Sequence, residues 1–399
     1  MTIRTLIPVG LLCSSTGDYG EIGEAMLSAS LLAIQQINED PSYDFYLNPV
    51  VANPGGQLDK YFSLSQDLLY GQKIRHVVGC YTSSSRKEVI PAFERADALL
   101  WYPSHYEGFE YSDNVIYLGA APNQHIVPLA AYMMSRHGKR VYSLGSNYVW
   151  SWESNRVMRE ITEANGGSIL AERYTELGAT DLARVMQEIQ DLKPDYIFSS
   201  VIGATTAALL SAHSEARLRS KAKGVSYPSI ASCNISELEL RAAPPEARRG
   251  HICSSVYFQS IASCANLAFL DAFHARFGQS RVTTSDAEAS YVAVHLLARA
   301  IRACGSDDPA KVREAVGACR FEAPQGPVWV DSENHHAYLT PRLGRSTPHG
   351  QFEIIQTSDD PVPPDPFLTW FDPNRDIHAW STTQQLLATK ARPQLRAIQ

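Results

Sequence analysis

The sequence predicts an α/β protein of two lobes, each an open parallel sheet flanked by helices. Three observations point there. Short apolar runs bounded by glycine, proline and hydroxyl residues alternate with runs whose apolar residues recur at helical spacing, the pattern of strand-helix units in a parallel sheet. The pattern restarts after Ala121-Pro122-Asn123-Gln124. A chain of 399 residues also exceeds what one hydrophobic core usually supports, so about two folding units are expected.

In the first half, residues 3–13 form an apolar run closed by Ser14-Ser15-Thr16-Gly17, and residues 22–37 follow as a helix. Residues 48–53 read as a strand ended by Pro54-Gly55-Gly56, with a returning helix over 58–70. The next two units matter most. A strand at 76–80 runs into the hydroxyl-rich turn 81–85 and a helix at 86–96, and a strand at 98–101 ends in Tyr102-Pro103-Ser104-His105-Tyr106. Two consecutive strand ends thus put Tyr81, Ser83, Tyr102, Ser104 and His105 at the carboxyl edge of the sheet, where open α/β folds bind ligands.

The second half repeats the logic. A helix at 125–137 leads to a strand at 140–145 whose end carries Tyr148 and Trp150, with a helix at 154–165 stopped by Gly166-Gly167. Strand 168–174, helix 181–192, strand 196–200 with the turn Val201-Ile202-Gly203, helix 204–212 and strand 229–231 complete it. From residue 254 the order changes. A crossing segment at 256–258 precedes helices at 266–277, 285–304 and 309–318, a proline and glycine hinge at 321–330, and two antiparallel strands at 335–341 and 351–356.

Composition excludes several classes of function. A net charge of -7 without a long basic run argues against phosphate-backbone binding, so no direct nucleic-acid partner is expected. No run is long and apolar enough to span a bilayer. Residues 6–13 have a single early Arg4, a short apolar core and no small-residue cleavage site, so they read as a strand and the expected location is cytoplasmic. Seven cysteines, none in a CxxC pair, read as buried free thiols of a reducing compartment, with no zinc spacing and no cofactor.

The runs GCYTSSSRKEVIPAFERADALLWYPSHYEGFEYSDNVIYLGAAPNQ, GSNYVWSWESNRVMRE, FSSVIGATTAALL and FEAPQGPVWVDSENHH, with the tail PDPF, make the resemblance specific. From about residue 6 to about residue 372 the chain resembles the amide sensors that negatively regulate bacterial aliphatic amidase operons, members of the type I periplasmic-binding-protein superfamily. It is similar as well to the urea and short-chain amide binding proteins of ABC transporters. The resemblance implies two lobes joined by three crossovers and closing on a ligand: 1–121 plus 254–323, and 122–253 plus 324–375, with a tail at 376–399. It implies an amide pocket of Tyr81, Ser83, Tyr102 and Ser104 from one lobe, Tyr148 and Trp150 from the other, and Val201-Ile202-Gly203 as a third wall. Three positions depart from the regulator's pattern: Ser104 stands for a Thr, His105 for a Pro and Trp150 for a Tyr. The implied partners are a small amide, an RNA-binding antiterminator held until the amide binds, and a second copy of the chain. The alternative is the substrate-binding protein of an ABC importer for urea or short-chain amides.

The residue types suit that ligand. A small amide offers a carbonyl acceptor and N–H donors, for which hydroxyls at strand ends are partners, while Tyr81, Tyr102, Tyr148 and Trp150 supply an apolar box. His105, if inside the pocket, donates or accepts. Arg86 and Lys87 at a helix start are expected to reach solvent, and His335-His336 on a strand face opposite sides and so do not share a metal. Catalysis is not expected: there is no G-x-S-x-G or H-E-x-x-H, and Cys80, the one candidate nucleophile, has no identifiable histidine partner.

Overall fold

The computed structural model describes residues 4–373 and Ile377; apart from Ile377, the tail expected at 376–399 lies outside the described residues. The first lobe is built from β1 (Thr5–Leu12), α1 (Gly20–Glu39), β2 (Phe45–Ala52), α2 (Leu58–Gln66), β3 (His76–Gly79), α3 (Ser83–Ala96), β4 (Leu99–Tyr102) and β5 (Val115–Tyr117). Its strands are all parallel, in the order β2-β1-β3-β4-β5. β3, β4 and β5 are buried along their whole length, as strands covered on both faces must be.

The second lobe follows with α4 (Pro122–Arg136), β6 (Arg140–Ser146), α5 (Val149–Ala164), β7 (Ser168–Thr175), α6 (Ala183–Leu192), β8 (Tyr196–Ser200), α7 (Ala204–Ala222), β9 (Ser229–Ser232), α8 (Glu237–Ala242) and β10 (Ile252–Ser255). The chain then returns to the first lobe with α9 (Cys264–Phe277), α10 (Ser285–Cys304) and α11 (Pro309–Val316). α10 packs on α1, where Ala25, Ala29 and Ala33 meet Ala293 and Ala300 in one buried cluster; small residues let the two helices approach closely.

β11 (Arg320–Ala323), β12 (Gly326–Val330) and β13 (Ala337–Tyr338) form a small antiparallel sheet, and β14 (Arg342–Ser346) and β15 (Phe352–Thr357) add to β10. The second sheet therefore reads β15-β14-β10-β9-β8-β6-β7. Val328, Val330 and Ala337 belong to the buried cluster that contains α1 and α10.

Four strands were not legible in the sequence: β5, β10, β11 and β14. β5 is only three residues long, and β14 reads Arg-Leu-Gly-Arg-Ser, too polar for a core strand. Arg342 is buried because three carbonyls receive its guanidinium: Val256 at 2.5 Å, Gln325 at 2.6 Å and Thr340 at 2.9 Å. α5 also begins earlier than expected, so Trp150 sits in the first turn of a helix and Tyr148 is its N-cap residue.

Candidate ligand-binding cleft

The cleft forms where α3 of the first lobe meets α5 of the second. Thr82 caps α3 by accepting from the Ser85 N–H at 3.1 Å. The free amides of its first turn point across the gap. The Tyr148 hydroxyl oxygen accepts from the N–H groups of Ser83 at 2.5 Å and Ser84 at 3.4 Å, so the two lobes touch through one phenol.

Beneath that contact lies a buried charge network. Arg86 is wholly buried, with Nε 2.6 Å from Glu110 and Nη2 3.0 Å from Glu107, and its guanidinium carbon is 4.7 Å from the ring centres of both Tyr102 and Tyr106. The expectation that Arg86 reaches solvent is therefore wrong: two carboxylates from the loop after β4 hold it inside. Lys87 remains partly exposed but adds a 2.6 Å pair to Glu110. Burial pushes the Glu110 carboxyl up, and Arg86 and Lys87 more than offset this, holding it down at about 2. Through this network Ser83 is oriented, because its hydroxyl donates to Glu107 Oε2 at 2.5 Å. With its proton committed, the Ser83 oxygen can accept an N–H from a ligand.

Tyr81, Thr82, Ser83, His105, Tyr148, Trp150, Ile202 and Asn234 enclose about 290 Å³ of space, the open mouth included. Six of the residues singled out in the sequence, Tyr81, Ser83, His105, Tyr148, Trp150 and Ile202, thus come together. The other four stand behind or beside the wall. The Tyr102 hydroxyl donates to the Tyr81 carbonyl at 2.9 Å while its ring lies against Arg86. Ser104 is buried with its backbone against Gly119, where an added Cβ would fall 1.9 Å from the Ser104 carbonyl carbon. Val201 is buried and accepts from Asn234 Nδ2 at 2.7 Å. Gly203, at φ +63°, ends the turn before α7 beside the Tyr19 ring.

His105 is half-buried, edge-on to Trp150 at 5.4 Å and to His125 at 5.8 Å, with Nδ1 3.7 Å from Asp286 Oδ1. Trp150 is 4% exposed and its Nε1 donor has no partner among the described residues. Burial, with the nearby His105, pushes the His125 imidazole down to about 3, so it is neutral at physiological pH. The sequence reading missed Asn234, which follows β9 at the same sheet edge; the strand-end rule applied to 229–231 would have found it. It also missed Glu237, Glu239 and Asp286, which line the adjoining space, because each lies in a helical first turn indistinguishable from solvent-facing sequence.

The remaining candidates do not bear chemistry. The Cys80 thiol is fully buried and burial raises its pKa, which removes the thiolate a nucleophile needs. His335 stacks on Tyr111 and His336 on Tyr117, and no group of three or more metal-ligating side chains is assembled among the described residues. No helix of the described residues is long and apolar enough to cross a membrane.

A family model described as "Periplasmic binding protein domain" matches residues 7–372. Among solved structures, a solute binding protein of an ABC transporter from Rhodopseudomonas palustris HaA2, in complex with p-hydroxybenzoic acid, superposes with a TM-score of 0.80 at 22% identity, over 90% of this chain and 98% of that one. A branched-chain amino acid transporter substrate binding protein from Streptococcus pneumoniae, in complex with isoleucine, gives 0.75 at 19% identity, over 90% and 100%. A curated protein named limonene hydroxylase, from Geobacillus stearothermophilus, is 32% identical over 120 residues, 30% of this chain; the chain spans 22% of that relative's length. These family and fold neighbours are binding proteins rather than enzymes. The family match overturns the cytoplasmic expectation: the model that covers residues 7–372 is that of a periplasmic binding protein domain, and the solved neighbours are solute binding proteins of ABC transporters. With its two-lobed parallel-sheet architecture and its interlobe cleft, the chain belongs to the periplasmic binding protein family.

Proposed function

We propose that this protein is the solute-binding component of an ABC importer for a small, N–H-bearing polar ligand of the urea and short-chain amide class. The observation that carries the reading is the lining of the cleft. Ser83 offers an oriented acceptor, Trp150 an unpartnered donor, and Tyr81 and Tyr148 the apolar sides, while among the described residues no lysine or arginine lines either space. A carboxylate ligand such as a benzoate would meet no cationic side chain there. The volume, near the low end for small-molecule pockets, favours a ligand of few atoms. This importer reading replaces the antiterminator-binding regulator, whose cytoplasmic setting the comparisons contradict.

Calorimetric titration of the ligand-stripped protein with urea, acetamide, propionamide and butyramide, and with p-hydroxybenzoate and isoleucine as controls, tests it. Binding of urea or acetamide that weakens with tail length is expected. Binding of a control while all four amides are silent would refute the ligand class.

A further inference from the structure

The cleft continues past His105 into a second space of about 330 Å³, its mouth included, which shares Tyr81, His105 and Asn234 with the first. Carboxylates from opposite lobes face it. Asp286 lies in the first turn of α10 in the first lobe, and Glu239 in α8 of the second. Asp286 is 5% exposed, and its buried Oδ1 has no hydrogen-bond partner among the described residues. His105 Nδ1, at 3.7 Å, is too far to serve as one. Glu239 commits Oε2 to the cap of α8, accepting from the Ser236 N–H at 2.8 Å.

These charges are felt across the space. Burial raises the pKa of the Tyr81 hydroxyl, and Asp286 and Glu239 raise it further; burial raises the Glu239 carboxyl as well, with a smaller contribution from Asp286. A buried carboxylate oxygen without a hydrogen-bond partner is costly, and the half-buried Glu239 brings a second carboxylate to the same space. Trp150, on the adjoining wall, leaves a further buried polar atom without a protein partner at the same cleft.

We propose that Asp286 and Glu239 form a cation subsite that narrows the ligand from the neutral amides to their cationic counterparts, a small amidinium or guanidinium whose N–H groups bridge the two lobes. This rests on the reading of the cleft as an importer's binding site. Such a cation supplies several N–H donors in a plane and the positive charge that the lining lacks, and charge-assisted hydrogen bonds are roughly twice as strong as neutral ones. It also gives closure a driving force, since only the liganded cleft pairs both carboxylates.

Two matched pairs test the charge alone. Guanidinium replaces the urea oxygen, and acetamidinium the acetamide oxygen, with a nitrogen at nearly unchanged size. Titrations of the full chain at pH 7 and fixed ionic strength should show each cation binding about tenfold or more tighter than its neutral twin. Asp286→Asn should reduce that preference by about tenfold, and Asp286→Glu should retain most of it. Glu239→Gln should reduce the preference independently, and carries the test if Asp286→Asn fails to fold by circular dichroism. Urea and acetamide binding as tightly as their cationic twins, or a preference unchanged in both variants, overturns the subsite and leaves the importer reading standing. Silence of all four probes overturns both.

Discussion

Replacing Arg86 by methionine probes the foundation of the cleft. The substitution keeps an unbranched apolar stem but removes the buried partner of Glu107, which is 2% exposed, and leaves Glu110 only the partly exposed Lys87 at 2.6 Å. Removing one partner of a buried ion pair costs about 3–5 kcal/mol. Holding the Glu110 carboxyl at about 2 instead of its ordinary 4.5 corresponds to roughly 3 kcal/mol of pairing, which Arg86 and Lys87 share, so it bounds the Glu110 part of the loss from above. For a lobe of this size the melting temperature should fall on the order of 10 °C at pH 7, read by calorimetry or circular dichroism. The difference should also depend on pH. Because the folded-state pKa of Glu110 is depressed, its contribution is fully present above about 4.5 and is lost as pH falls through about 2, so the gap between wild type and Arg86→Met should narrow over that window. Adding Glu107→Gln and Glu110→Gln should restore part of the stability, since no charge is then left unpaired. A variant that melts within about 2 °C of wild type at pH 7 would refute the idea that this network holds the first lobe's cleft wall in place.

Other perturbations follow from single contacts. Tyr148→Phe removes the acceptor for the Ser83 and Ser84 amides, and the lost interlobe hydrogen bonding should weaken binding of urea or acetamide by about 5–10-fold in calorimetric titration; unchanged affinity would show that this contact contributes nothing to closure. Gly119→Ala places a Cβ 1.9 Å from the Ser104 carbonyl carbon, and since backbone must shift, a loss of about 3 kcal/mol or more and a large drop in soluble yield are expected. Glu237→Gln tests burial: burial raises the Glu237 carboxyl to about 7, so the cost of ionising it is absent below about 4.5, grows with pH and is complete above about 7. The variant should therefore gain melting temperature relative to wild type at pH 8 but not at pH 4; a pH-independent difference would show that the carboxyl is not destabilised by burial.

The edge of each sheet was legible because strand ends are punctuated. Gly79-Cys80-Tyr81 and Tyr102-Pro103-Ser104 both break an apolar run with residues that cannot continue it, and residues at such ends fall on one edge of a parallel sheet. What this rule does not give is which side chains turn inward. Tyr102 and Ser104 sit at the edge yet face the core, because Arg86 draws the Tyr102 ring down and Gly119 lets the Ser104 backbone be covered. Arg86 itself was misjudged: a helix-start arginine looks solvent-facing until Glu107 and Glu110, distant in sequence, arrive beside it. The thiols show the same dependence on packing, since five of the seven are withdrawn by burial while Cys264 is exposed.

The sequence by itself determined the α/β class, the repeat of strand-helix units in two lobes and the presence of hydroxyl and aromatic residues at the strand ends, because hydrophobic periodicity and turn residues are local properties. Only the tertiary structure decided the electrostatics of the cleft. Whether a carboxylate is solvated, paired like Glu110 with Arg86, or buried like Asp286 with an oxygen that finds no hydrogen bond among the described residues depends on which segments far apart in the chain meet around it, and pairing and desolvation set the sign of its contribution.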